Sequence, residues 1–172
     1  MRMVSASSLE LDYWLRRIVR GDRDALEELY KATSSAVYAY ALSIVKNSTD
    51  AQDVTSDTFI SIWHKADGYL SHGKPLAWII TIARNHALML LRQQRRYIPL
   101  QPYHMDKVID PEDSAMLKLC MEQLTDEERQ IVVLHVTVGM THRQIAQIMG
   151  LNISTVLSKY RRSLQKLRQN MT

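Results

Sequence analysis

Apolar residues recur every three or four positions along almost the whole chain, and no run of alternating apolar and polar residues stands beside them. The expected fold class is all-α. Leu11, Trp14, Leu15 and Ile18 mark the inner side of a first helix, and Gly21-Asp22 separates it from a second carrying Ala25, Leu26, Leu29, Val37, Ala41 and Ile44. A third helix is predicted to open at Thr49-x-x-Gln52, a capping box whose side chains satisfy free backbone N–H groups. Val54, Thr58, Phe59, Ile62, Trp63 and Ala66 form its apolar side, leaving Asp53, Ser56, Asp57, Ile60 and His64 largely on the other. Gly68 to Lys74 reads as a loop. Pro75 suits the first turn of a fourth helix, where its missing N–H would be unpaired anyway; that helix runs to about Arg96 with Leu76, Ile79, Ala83, Ala87 and Leu90 inward.

The pattern stops where Pro99, Pro102 and Pro111 cluster, each fixing φ and removing a donor. This is the domain boundary, either an extended exposed linker or a loop packed on one domain. Asp110-Pro111 restarts the helices as cap and first residue, followed by Leu117, Cys120 and Leu124 on one face. Thr125-x-x-Glu128 opens a helix to about Val138, and Thr141-x-x-Gln144 opens a short one carrying Ile145, Ala146, Ile148 and Met149 before Gly150. Asn152 can cap the last, with Val156, Tyr160, Leu164 and Leu167 inward. Two helical units fill 172 residues, so a large multi-domain enzyme is excluded.

With 46% hydrophobic and 23% charged residues the chain can bury a core. Its longest apolar stretches, such as Ala77 to Ala83, fall below the roughly 18 residues of a membrane span, and the first residues do not show a basic segment followed by an apolar one. A cytosolic protein without membrane insertion is expected. The single Cys120 excludes an internal disulfide framework and a cysteine-rich zinc site. His64, His72, His86, His104, His135 and His142 show no paired ligand spacing, and no phosphate-cradling glycine loop or nucleophile elbow is present. No catalytic residue, metal or cofactor is therefore expected.

The net charge of +4 conceals a strong pattern. Residues 1–67 carry a net of −2, 68–105 of +5 with no acid, 106–128 of −6, and 129–172 of +7, again with no acid. Two basic tracts suit one polyanion, most simply nucleic acid, although a pair of solvated helix faces has the same composition. The second tract is the more informative. A short helix, a turn with Gly150 and a second helix with a basic outer face make a helix-turn-helix, with Ala146 small at the crossing and Val156 plugging the joint. Ser158, Lys159, Arg162 and Lys166 can offer donors to base edges and phosphates, and the helix start at Asn152 to Thr155 suits a phosphate.

At about residues 9–168 the chain resembles the small, extracytoplasmic-function group of bacterial sigma-70 factors. The matching stretches are Ile18-Val19-Arg20-Gly21-Asp22, Ala25 to Tyr30, Asp50 to Val54 with Thr58 to Trp63, and Ala77 to Asn85. In the second half they are Leu124 to Arg129, Gly139-Met140-Thr141 through Gly150-Leu151, and Ser154-Thr155-Val156. The resemblance implies a disordered start (1–8), a sigma-2 helical bundle (9–97), a flexible linker (98–111) and a sigma-4 helix-turn-helix domain (112–172). It implies docking on the β′ subunit of core RNA polymerase, with β as a further contact, through Asp50, Asp53, Ser56, Asp57 and Ile60. Reading and melting of the minus-ten promoter element fall to Tyr69, His72, Lys74, Trp78, Arg84, Asn85 and Arg92. Thr141, Arg143, Ser154, Thr155, Ser158, Lys159, Arg162 and Lys166 would read the minus-35 element as duplex. Melting requires a pocket for an extruded base and a basic track for the exposed strand.

The resemblance also implies an anti-sigma factor that could hold the chain at the bacterial membrane. The acidic linker, with Asp106, Asp110, Glu112 and Asp113, would imitate nucleic acid in the polymerase channel. Three positions depart from the family pattern: Gln144 for a common Glu, Leu157 for a common Lys or Arg, and Ser56 for a common Gln. The alternatives are a helix-turn-helix activator that recruits a separate sigma factor, and an inactive decoy.

Overall fold

Small residues crowd the stretch from Ala32 to Ser43, and this decides how the first unit packs. The computed structural model describes residues 4–69, 73–97 and 122–169, and the regular elements among them are all helices. These are α1 (Ser8–Val19), α2 (Arg23–Val45), α3 (Ser48–Lys65) with a 3₁₀ turn at Ala66–Gly68, and α4 (Pro75–Tyr97). The second half has α5 (Asp126–Val132) running into a π-helical stretch (Val133–Val138), then α6 (His142–Met149) and α7 (Ile153–Gln169). His72, His104, Leu117, Cys120, the Asp110-Pro111 start and the linker 98–111 lie outside the described residues.

From Ala39 to Val45 every α2 residue is buried, which marks a helix enclosed on all sides. Ala36, Ala39, Ala41 and Ser43 leave room for α1, α3 and α4 to close around it. The hydroxyls this buries are satisfied locally: Thr33 donates to the Leu29 carbonyl at 2.7 Å and Ser43 to that of Tyr40 at 2.6 Å. The predicted inward positions of α4 hold, with Ile80 joining Ile79, Ala83 and Ala87 at 0% exposure.

Two boundaries differ from expectation. Asn47, not the Thr49-x-x-Gln52 box, caps α3, its side-chain oxygen accepting from Asp50 N–H at 2.9 Å. Asn is as good a cap as Thr and stands two residues earlier, so the helix starts there. Residues 4–7, within the expected disordered start, lie on the bundle. Ser5 N–H donates to the Ala32 carbonyl at 3.3 Å, and Ser7 forms a capping box with Glu10.

The second half packs Ile131, Leu134, Val138, Ile145 and Val156 together. Gly150, at φ 66°, takes the left-handed turn between α6 and α7 that a helix-turn-helix needs. This unit does not stand apart. The apolar core is continuous from α2 into the π-helical stretch, and α6 touches α4. Polar groups reinforce the junction. Arg129, 3% exposed, donates to the carbonyls of Leu124 at 2.8 Å and Ser43 at 3.3 Å, and lies 3.0 Å from Asp126. Lys46, left-handed at φ 61°, reaches Asp126 at 2.6 Å.

Arg129→Met keeps an apolar stem but leaves two buried carbonyls without their donor. We expect a loss of about 2 kcal/mol in urea-induced unfolding, with the two units melting less cooperatively.

Candidate nucleic-acid and protein interfaces

Three surfaces carry the predicted residues. The first is α4 with the turn before it. Trp78, Asn85 and Arg92 recur every seventh residue, so they share one helix face, and Asn85, Arg92 and Lys74 are exposed. Tyr69 packs on Trp78 with ring centroids 5.2 Å apart and donates its hydroxyl to Asp12 at 2.9 Å. Asp12 is 8% exposed and also meets Arg16 at 2.7 Å, so α1 anchors the aromatic pair. Burial, helped by the Asp12 acceptor, pushes the Tyr69 hydroxyl up to about 12 and keeps it a neutral donor.

Arg84 does not join this face. Its guanidinium turns inward beside the buried Tyr40 hydroxyl, which burial holds well above its usual value despite that cation. Position 84 lies about 80–100° around the helix from Asn85 and Arg92 at ~100° per residue. A cleft of about 610 Å³ opens over the aromatic pair, with Tyr69, Lys74, Trp78 and Thr81 on one wall and Gln144, Gln147 and Ile148 of α6 on the other. Stacking faces beside a free amine suit an unpaired base and its phosphate.

The second surface is the outer side of α3. Asp53, Ser56 and Asp57 are exposed, and Ile60 shows 57% of its surface. Asp50 stands apart, its carboxylate accepting from the Gln94 amide at 2.9 Å. With His86, Met89 and Gln93 of α4, the acids line a groove of about 250 Å³, and Ser61 Oγ lies 2.7 Å from His86 Nε2. Met89 and Ile60 give this acid-rimmed surface an apolar floor for a basic partner helix.

The third surface is α6, the turn and α7. Thr141 and Gln144 form the predicted reciprocal cap, so Gln serves where the family pattern has Glu. Arg143, Ser154, Ser158 and Arg162 are exposed and Thr155 is half-buried. The two lysines are internally engaged: Lys159 meets Glu127 at 2.9 Å, and Lys166 meets Glu128 at 2.7 Å. With Val156 inward, the outer arc of α7 instead includes Arg161, an exposed cation absent from the predicted set. A helical wheel anchored on Val156 would have found it. Burial raises the Glu128 carboxyl, but Lys166 and the Thr125 backbone outweigh it and hold the group below its ordinary range.

A lowered carboxyl contributes stability above its unfolded value that is lost as pH falls through the folded value. Lys166→Met leaves Glu128, with a side chain 5% exposed, without its cation. We expect about 3 kcal/mol of destabilisation at neutral pH and an acid limb moved to higher pH in thermal melts, whereas Arg161→Ala melts as the parent does.

Among the described residues no helix is long and apolar enough to cross a membrane, and no three of His, Cys, Asp and Glu are grouped to hold a metal ion. The family described as Sigma-70 region 2 matches residues 29–97, and that described as Sigma-70, region 4 matches residues 114–167. The ECF RNA polymerase sigma factor SigK of Mycobacterium ulcerans (strain Agy99) is 27% identical, covering 92% of each chain. Its namesake in Mycobacterium tuberculosis (strain ATCC 25618 / H37Rv) is 28% identical, covering 94% of this chain and 93% of the relative. Two solved structures share the fold. CnrH in complex with the cytosolic domain of CnrY aligns with a TM-score of 0.65 at 21% identity, over 94% of this chain and 97% of that one. The sigma factor RpoE in complex with the anti-sigma factor NepR from Bartonella quintana gives 0.67 at 22% identity, over 83% and 94%. With both halves matching regions of one family, the chain belongs to the sigma-70 RNA polymerase sigma factors, in their extracytoplasmic-function group.

Proposed function

We propose that the outer face of α3, through Asp53, Ser56, Asp57 and Ile60, docks on core RNA polymerase, and that α4 and α7 read the two promoter elements. The observation that carries this reading is the single face formed by Lys74, Trp78, Asn85 and Arg92 beside the Tyr69 stack. It joins stacking rings, an amide and cations in one track, which suits an exposed minus-ten strand. Ser154, Ser158, Arg161 and Arg162 present hydroxyl and guanidinium donors on one side of α7, which suits the major groove of a minus-35 duplex. The bundle at residues 9–97 and the helix-turn-helix at 112–172 act as the two readers. RNA synthesis belongs to the core enzyme, and this chain contributes specificity.

The two readers touch in this structure, with α6 across the cleft from Trp78. Promoter elements centred about 25 base pairs apart lie roughly 85 Å apart at about 3.4 Å per step. The packed arrangement cannot span them, so binding to core and promoter separates the units. By likeness to RpoE, solved in complex with the anti-sigma factor NepR, an anti-sigma factor that retains the chain in the cytoplasm or at the membrane completes this reading.

Transcription reconstituted with purified core polymerase tests the proposal: the chain alone is expected to yield promoter-specific transcripts. Their absence on every promoter that binds the chain would contradict it. Asp53→Lys with Asp57→Lys is expected to abolish core binding while leaving the helical spectrum intact. Arg161→Ala and Arg162→Ala should each weaken duplex binding across sequences and reduce the salt slope by about one.

A further inference from the structure

Three rings meet where the helix-turn-helix is hinged to the rest of its unit. His135, in the π-helical stretch, and His142, the first residue of α6, stack with centroids 4.2 Å apart and planes 22° from parallel. Tyr160 of α7 meets both edge-on, at 4.8 Å and 5.0 Å. We propose that these three side chains form a proton-sensitive joint, which holds α6 against α7 only while the His142 imidazole is uncharged.

The hydrogen bonding fixes the protons. His135 Nδ1 lies 2.8 Å from the Met140 carbonyl, which can only accept, so Nδ1 carries the hydrogen and the uncharged ring leaves Nε2 bare. His142 Nε2 is enclosed with no hydrogen-bond partner. A proton added there would have no acceptor among the described residues, and would set a cation against the face of the His135 ring at stacking distance. Among the described residues no free carboxylate compensates. The neighbouring carboxylates of α5 are engaged, Glu127 by Lys159 and Glu128 by Lys166 of α7, while Asp126 faces Lys46 and Arg129. The remaining charge beside His142 on α6 is Arg143, itself a cation. Burial and His135 accordingly hold His142 below its ordinary value.

The sign is that of a histidine buried uncharged. The unfolded or opened state binds the proton more readily, so the joint is secure above about pH 6.5 and loosens as pH falls below it. Simple histidine protonation would add positive charge and tighten binding to DNA; this joint does the opposite. On the reading of α7 as the duplex reader, acid would withdraw minus-35 recognition first.

Amide hydrogen exchange on the full chain, corrected for intrinsic rate, tests the joint without any promoter or polymerase, so its outcome is separate from that of the sigma-factor reading. Opening of residues 141–160 in the parent is expected to rise about tenfold between about pH 7.5 and pH 5.5, and by less than about twofold in His142→Gln. His142→Asn removes the same titrating ring and serves where His142→Gln does not fold. A parent flat over this range, or a variant with the parent's pH dependence, would overturn the proposal.

Discussion

Arg129 holds the molecule's two halves at one point, and the rest of the arrangement depends on how its charge is satisfied. A guanidinium with a side chain 4% exposed needs acceptors, and here the two terminal nitrogens have them while Nε has none. It finds the Leu124 carbonyl ahead of α5, the Asp126 carboxylate in the first turn, and the Ser43 carbonyl near the end of α2. The last of these belongs to the other unit. Because α2 is enclosed along its second half, its C-terminal turn is where the bundle can offer carbonyls to a neighbour, and Lys46 adds an ion pair there. These polar contacts flank an apolar core that is continuous from α2 into the π-helical stretch.

The charge pattern takes a different meaning once folded. The tract after residue 128 is all cation in sequence, yet its two α7 lysines neutralise Glu127 and Glu128 of α5. Part of that charge holds the helix-turn-helix together, and Arg143, Arg161 and Arg162 remain outward. A similar division occurs in α4, where Arg84 turns toward Tyr40 and Arg92 faces solvent. Screening by salt should therefore weaken the outward arginines' contacts with DNA more than the α5–α7 pairs.

The helices, their inward faces and the turn at Gly150 were legible because periodicity and caps are local properties of the chain. Val156 at the joint and the Thr141–Gln144 cap followed from spacing alone. Less legible were features set by residues distant in sequence. The Asp50–Gln94 bond spans 44 residues and removes a carboxylate from the docking face; the Tyr69–Asp12 bond spans 57. Neither leaves a periodic trace. The histidine stack was missed for a related reason: His135 and His142 lie seven apart across a left-handed turn, so no single-helix spacing brings them together. The α3 start is a simpler case, in which Asn47 and Thr49 compete as caps and the earlier one prevails.

The central claim is that the two readers, packed together in the free chain, must part to engage a promoter. The most direct measurement places spin labels at Asp24 and Gln169, exposed positions in the two units, with Cys120 replaced, and compares distances free and on core polymerase with promoter DNA. One narrow distance distribution is expected in the free chain and a separation longer by tens of ångströms in the complex, as about 25 base pairs of duplex require. The free chain's distance, unchanged in a complex that initiates transcription, would contradict it.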